Sequence, residues 1–156
     1  MSSPSKRRGT PGGGEAIVAN VGDSRAYHYS EKEGAIHQIT RDHSLVQELL
    51  SAGRLTPEEA AEYPYKNVIT RAVGTAPIVS VDIFEVELKD GDALLLCSDG
   101  LTNEVSESRI LEALKACRHD PDSACEALIE SALSSGGRDN ISVAIGFFLK
   151  EGGDEA

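Results

Sequence analysis

The chain reads as an α+β protein, an antiparallel sheet with helices packed outside it. Strand-like and helix-like segments come in blocks (strands, helices, strands, helices, strand) with no regular βαβ repeat, which argues against a parallel sheet. Residues 93–97, ALLLC, form an uninterrupted apolar run, the pattern of a strand covered on both faces. The later helical segments carry apolar residues on one side, Ile110, Leu111 and Leu114 in the first and Ala124, Leu128, Ile129 and Ala132 in the second, so each has one face to bury.

Residues 1–14, MSSPSKRRGTPGGG, offer almost nothing to bury and are expected to form a disordered tail. Residues 15–149 then carry strand and helix signals without a second linker, so one domain is expected, followed by an acidic tail over 150–156. The β-favouring run at 16–21 and the segment 25–29 flank Gly22-Asp23, and are expected to form a hairpin. A third antiparallel strand is expected over 35–39. Asp42 is placed to cap a helix bearing Leu45, Val46, Leu49 and Leu50, stopped at Gly53. Thr56-Pro57-Glu58-Glu59 is a capping box with proline at the first helical position, and its helix ends before Pro64. Imperfect alternation over 78–88 suggests a strand with a bulge. Asp90-Gly91-Asp92 is a turn before the apolar run. Ser106 and Asp120 are expected to cap the two long helices, and 141–148 is the last strand.

With 15 Lys+Arg and 26 Asp+Glu, the net charge of −11 repels nucleic acid and anionic lipid, so neither is an expected partner. A divalent cation suits that balance better. No window approaches the ~20 apolar residues of a membrane span, and no secretory signal is visible, so a cytoplasmic protein is expected. Cys97, Cys117 and Cys125 are odd in number and lack C-x-x-C spacing, which points to reduced thiols. His28, His37, His43 and His119 show no ligand-like spacing and are expected at the surface or packed against strands.

Three aspartates stand at strand ends. Asp99 follows the apolar run, Asp139 precedes the last strand, and Asp23 follows the first. If the strands of Asp99 and Asp139 are antiparallel neighbours, their carboxylates come to one rim of the sheet, where Asp23 could join them. Clustered carboxylates repel one another unless a cation neutralises them, and hard oxygen ligands suit Mg²⁺ or Mn²⁺. Taken singly, each aspartate beside a glycine is also ordinary turn chemistry. Asp42, Asp90, Asp92, Asp120 and Asp122 are expected to be caps or turn residues.

Four strings, ANVGDSRAY at 19–27, NVITRAVG at 67–74, LCSDGL at 96–101 and GRDNIS at 137–142, resemble in order and spacing the motifs of bacterial-type protein phosphatase 2C enzymes, metal-dependent serine/threonine phosphatases. Regulatory phosphatases of sporulation and stress pathways share that chemistry. The resemblance, over about 15–149, implies an antiparallel β-sandwich flanked by helices, with the N-terminal part of the domain missing. It implies hydrolysis of phosphoserine and phosphothreonine in proteins, such as the targets of a Ser/Thr kinase, by a metal-activated water. By motif match Asp99 and Asp139 would be ligands of a two-ion Mn²⁺ or Mg²⁺ centre, catalytic through the metal, and Asp23 with Asp99 would hold a third ion. Residues of about 42–66 resemble the flap beside the active site.

Upstream of Gly22-Asp23-Ser24-Arg25 the family carries a phosphate-gripping arginine and an Asp-Gly-x-Gly-Gly metal motif. Residues 1–14 stand there instead and contain no Asp or Glu. The chain alone is therefore expected to bind Mn²⁺ weakly and to turn over poorly or not at all, with an open sheet edge and a partly uncovered apolar face. Arg25, Arg71 and Arg138 are as suited to local carboxylates as to substrate. The alternatives are a non-catalytic phosphatase-like interaction module and a simple acidic metal-binding or structural fragment.

Overall fold

The computed structural model describes residues 13–150. The expected N-terminal tail, apart from its last two residues, and all but the first residue of the expected acidic tail lie outside the described residues. In chain order the elements are β1 Gly14–Asn20, β2 Arg25–Ser30, β3 Ala35–Gln38, α1 Leu45–Ser51, α2 Pro57–Ala61, β4 Asp82–Leu88, β5 Ala93–Cys97, α3 Asp99–Thr102, α4 Glu107–Ala116, α5 Pro121–Ser134 and β6 Val143–Phe147. No helix among them is long and apolar enough to cross a membrane.

The strands form two antiparallel sheets, a β1-β4 ribbon and a four-stranded sheet in the order β3-β2-β5-β6. Between them lies an inner core of Val18, Ala26, Val86 and Leu88, with Leu94 and Phe148 packed against it. On the other side of the larger sheet Tyr27, Tyr29, Leu95 and Cys97 pack against Leu101, Ile110, Leu114, Leu128 and Ala132 of the helical layer. The result is a β-sandwich with α3, α4 and α5 on one flank, as expected.

Several local expectations are corrected. Residues 16–21 and 25–29 do not pair as a hairpin: β1 pairs with β4, and β2 with β3 and β5. The turn carries the chain across the sandwich instead, because β2 has apolar residues for both faces, Ala26 toward the ribbon and Tyr27 and Tyr29 toward the helices. The strand expected over 78–88 begins only at Asp82. β5 is fully covered on its helical face, but on the other face Leu96 is 49% exposed. It borders a cleft of about 430 Å³ between the sheets, lined by Val18, Ala26, Val143 and Ala144 among others. On the ribbon, Ile17 and Ile83 are also largely exposed.

The capping box at Thr56 is present, Asp120 caps α5 through Ser123 N–H, and Gly53 follows α1 with φ 64°. Asp42 is not a cap. Ser44 caps α1, and Asp42 takes three hydrogen bonds from Arg25 at 2.7–3.1 Å. Ser106 occupies the cap position of α4 without a side-chain cap bond.

Asp92 is more than a turn residue. It is 1% exposed, and its carboxylate accepts from Lys89 N–H at 2.9 Å, Glu31 N–H at 3.0 Å and His28 Nε2 at 2.9 Å. Burial pushes the carboxyl up, but these hydrogen bonds together outweigh it and hold the group below its ordinary 3.8. Asp92→Ala is expected to cost ~3 kcal/mol, because buried donors lose their acceptor. A depressed native value contributes stability that is present above pH 3.8 and is lost as the pH falls through that lower value. Urea titrations of both proteins across the acid range check the cost and its convergence at low pH.

Candidate active site

The site is built at the end of the larger sheet where β5 leaves and β6 enters. Cys97 pairs with Val143, and the next pair continues through Ser98, whose N–H donates to Ser142 O at 3.0 Å. The Ser98 hydroxyl donates to Asn140 O and accepts from Ser142 N–H, both at 3.0 Å. Ser98 thus pins the loop that carries Asp139 onto the strand end that carries Asp99. Gly100 allows the contact: a Cβ there would stand 2.3 Å from Asn140 O. Antiparallel pairing of β5 and β6 therefore brings Asp99 and Asp139 to one rim.

Asp23 reaches that rim from the crossing between β1 and β2. It shares with Asp99 a recess of about 210 Å³, also lined by Asp42, Lys66, Asn67 and Asn103. Burial pushes the Asp23 carboxyl up, and the negative charge of Asp99 pushes it further. Asp139 lines the adjoining recess of about 260 Å³ with Glu104 and Arg138, and Lys66, Asn67 and Asn103 border both. The structure thus brings Asp23 and Asp99 to one recess and places Asp139 in the next. Among the described residues no group of three or more His, Cys, Asp or Glu closes around a point as a metal site.

These donors are oxygens in an acidic setting, half-buried at Asp23 and Asp99 and exposed at Asp139. A carboxylate held up by burial and by a second carboxylate gains from added positive charge. A divalent cation that keeps several waters fits such an open set better than one needing a full protein cage.

The three arginines are engaged locally. Arg25 is held by Asp42, and Arg71 donates to Asp82 Oδ1 at 2.9 Å. Arg138 donates to Glu104 at 2.9 and 3.2 Å, and this pairing holds the Glu104 carboxyl below its ordinary range. Lys66, Ser98 and Glu104 escaped sequence reasoning as site residues. Only Ser98, inside the Ser98-Asp99-Gly100 string, carried a local signal.

A family model described as Stage II sporulation protein E (SpoIIE) matches residues 54–145, more than half of the chain. The protein phosphatase PhpP of Streptococcus pneumoniae is 47% identical over 131 residues, 84% of this chain and 52% of PhpP. The chain belongs to the protein phosphatase 2C family. Two solved members share its fold. The Streptococcus agalactiae serine/threonine phosphatase superposes with a TM-score of 0.80 at 43% identity, covering 87% of this chain and 55% of that one. The catalytic domain of the phosphatase PstP, solved with two manganese ions, gives 0.74 at 38% identity, covering 87% and 54%. The chain spans about half the length of the curated relatives it matches. The span matched by the family model includes Asp99 and Asp139.

Proposed function

We propose that this chain contributes to metal-dependent hydrolysis of phosphoserine and phosphothreonine in proteins, acting in the cytoplasm on targets of a Ser/Thr kinase. The observation that carries the reading is the shared recess of Asp23 and Asp99, with Asp139 on the same rim. Asp99 and Asp139 would hold the cations of a two-ion centre, and Asp23 with Asp99 a third. The two manganese ions of the PstP structure support Mn²⁺, and Mg²⁺ suits the same oxygens. When bound, such ions supply positive charge for an anionic ester and lower the pKa of water at neutral pH.

The chain's own residues shape the rest. Arg25, which also lines the recess, is fixed on Asp42, and the charges of both reach Asp23, Asp42 raising its carboxyl and Arg25 lowering it. Lys66 borders both recesses and offers a mobile cation to phosphoryl oxygens. The pair Ser98 and Gly100 sets the spacing between the Asp99 and Asp139 segments.

The test compares the chain alone with the chain joined to the half of PhpP that it does not match. The joined protein is expected to release phosphate from a phosphothreonine peptide in Mn²⁺. The chain alone is expected to turn over at least ~100-fold more slowly, because an incomplete ligand set loses transition-state charge stabilisation. A folded joined protein that binds the peptide without turnover would support the non-catalytic interaction module instead.

A further inference from the structure

Local sequence does not account for how the loop that delivers Asp23 is held. Gly22 takes φ 117°, a conformation largely closed to residues with a side chain, and the two peptide units that meet there, one through its N–H and the next through its carbonyl, keep one orientation only where those groups are bonded. One residue bonds both of them. The His43 backbone N–H donates to Gly22 O at 2.9 Å, and Gly22 N–H donates to His43 Nδ1 at 3.0 Å.

Accepting at Nδ1 settles the ring's tautomer. Nδ1 must be bare, so the proton of the neutral imidazole sits on Nε2, which lies 3.1 Å from Asp82 Oδ2 and donates there. Asp82 is itself held by Arg71 Nη1 on its other oxygen, and Arg71 Nη1 also stands 3.1 Å from His43 Nε2. Since the Gly22 N–H can only donate and takes the Nδ1 lone pair, Nε2–H and the guanidinium are read as two donors side by side on the Asp82 carboxylate. The ring is buried, only 4% exposed. The His43 carbonyl accepts from Thr70 N–H at 2.8 Å, and Leu45 N–H donates to Val68 O at 2.9 Å. With the Ser44–Ile69 bridge between these bonds, His43 also closes the base of the helical insertion formed by α1 and α2.

We propose that His43 is a positioning residue. Its Nδ1 lone pair, kept bare by the Nε2–H bond to Asp82, orients the Val21–Gly22 peptide while its backbone N–H holds the Gly22–Asp23 peptide, and together they set the Asp23 carboxylate and tie the turn to the base of the insertion. A histidine that merely fills the core would need neither a fixed tautomer nor a particular acceptor atom. The cation part of this proposal rests on the reading of Asp23 given above; the peptide-orientation part does not.

Two substitutions separate the atoms. His43→Asn can keep an oxygen acceptor near the Nδ1 position, whereas His43→Gln can keep a donor near Nε2 and loses the acceptor for Gly22. In the ¹⁵N-labelled chain, long-range proton–nitrogen spectra are expected to show Nδ1 bare and Nε2 protonated. Hydrogen exchange of the Gly22 amide is expected to stay within a few-fold of wild type in His43→Asn and to accelerate ~10-fold or more in His43→Gln. Mn²⁺ affinity, read from paramagnetic broadening of Asp23 and Asp99 signals, is expected to follow the same order, falling ~10-fold in His43→Gln.

A protonated Nδ1 in the wild-type chain, or equal Gly22 exchange in the two variants, would overturn the proposal. Should both variants fail to fold, the wild-type tautomer still decides. Should Mn²⁺ leave the Asp23 and Asp99 signals of the wild-type chain untouched, the cation reading fails, and the tautomer and Gly22 exchange still judge His43.

Discussion

Replacing Asp99 by alanine is expected to abolish Mn²⁺-dependent phosphopeptide hydrolysis by the joined protein, by a factor of ~10³ or more, while leaving it folded. Loss of the ligand proposed to be shared between cations would remove several kcal/mol of charge stabilisation from the transition state, and each ~1.4 kcal/mol is tenfold in rate. Structurally Asp99 gives up little. Its carboxylate accepts one long hydrogen bond, from Asn103 Nδ2 at 3.4 Å, so the cost in stability should be under ~1 kcal/mol. Removing its charge also takes away one of the influences that raise Asp23, which slightly favours the metal-free fold near neutral pH. Steady-state kinetics and a urea titration on the same preparation separate the two effects. If hydrolysis survived the substitution, the role proposed for Asp99 would fall; if peptide binding alone survived where no turnover had existed before, the non-catalytic module would be the better account.

Adding a single methyl group at Gly100 is expected to be the most damaging small change near the rim. The new Cβ would lie 2.3 Å from Asn140 O and 3.0 Å from Asn140 C, and both are backbone atoms that no rotamer change can move aside. Gly100 is buried in α3, between the strand end of β5 and the loop pinned by Ser98. Overpacking of this kind costs ~2–4 kcal/mol. The cheapest relief is for residues 139–141 to back away, which carries Asp139 out of reach of Asp99. Gly100→Ala should therefore lower both the denaturation midpoint and Mn²⁺ affinity, whereas Asp99→Ala should lower only the latter. Unchanged stability in Gly100→Ala would show that the loop is not seated against α3 as described.

The two substitutions fail differently because the site joins two kinds of information. Asp99 and Asp139 could be assigned to one rim in advance on the condition that their strands are antiparallel neighbours, because one ends an apolar strand and the other begins a strand; the pairing of β5 with β6 meets that condition. The Thr56 capping box and the Asp120 cap were legible for a similar reason: each bond closes within three residues. Asp42 and Asp92 looked the same as those caps in sequence. Beyond the local bond from Lys89 N–H to Asp92, the side chains that hold them, Arg25 and His28, lie 17 and 64 residues away, and nothing in a tripeptide says that they will arrive. The expected hairpin at Gly22-Asp23 went wrong in the same way, since turn chemistry is identical whether the next strand joins the same sheet or the opposite one.

Strand periodicity, turn residues and caps were enough to state the class of fold and to place Asp99 and Asp139 at strand ends, because those features depend on neighbours along the chain. Which sheet each strand joins, the pairing of Arg25 with Asp42, the seat of Gly100 against Asn140 and the grip of His43 on Gly22 emerged only when distant segments packed. Burial in the sandwich removes water as an alternative partner, so these groups must bond to whatever the fold brings near, and the linear order of residues does not specify what that is.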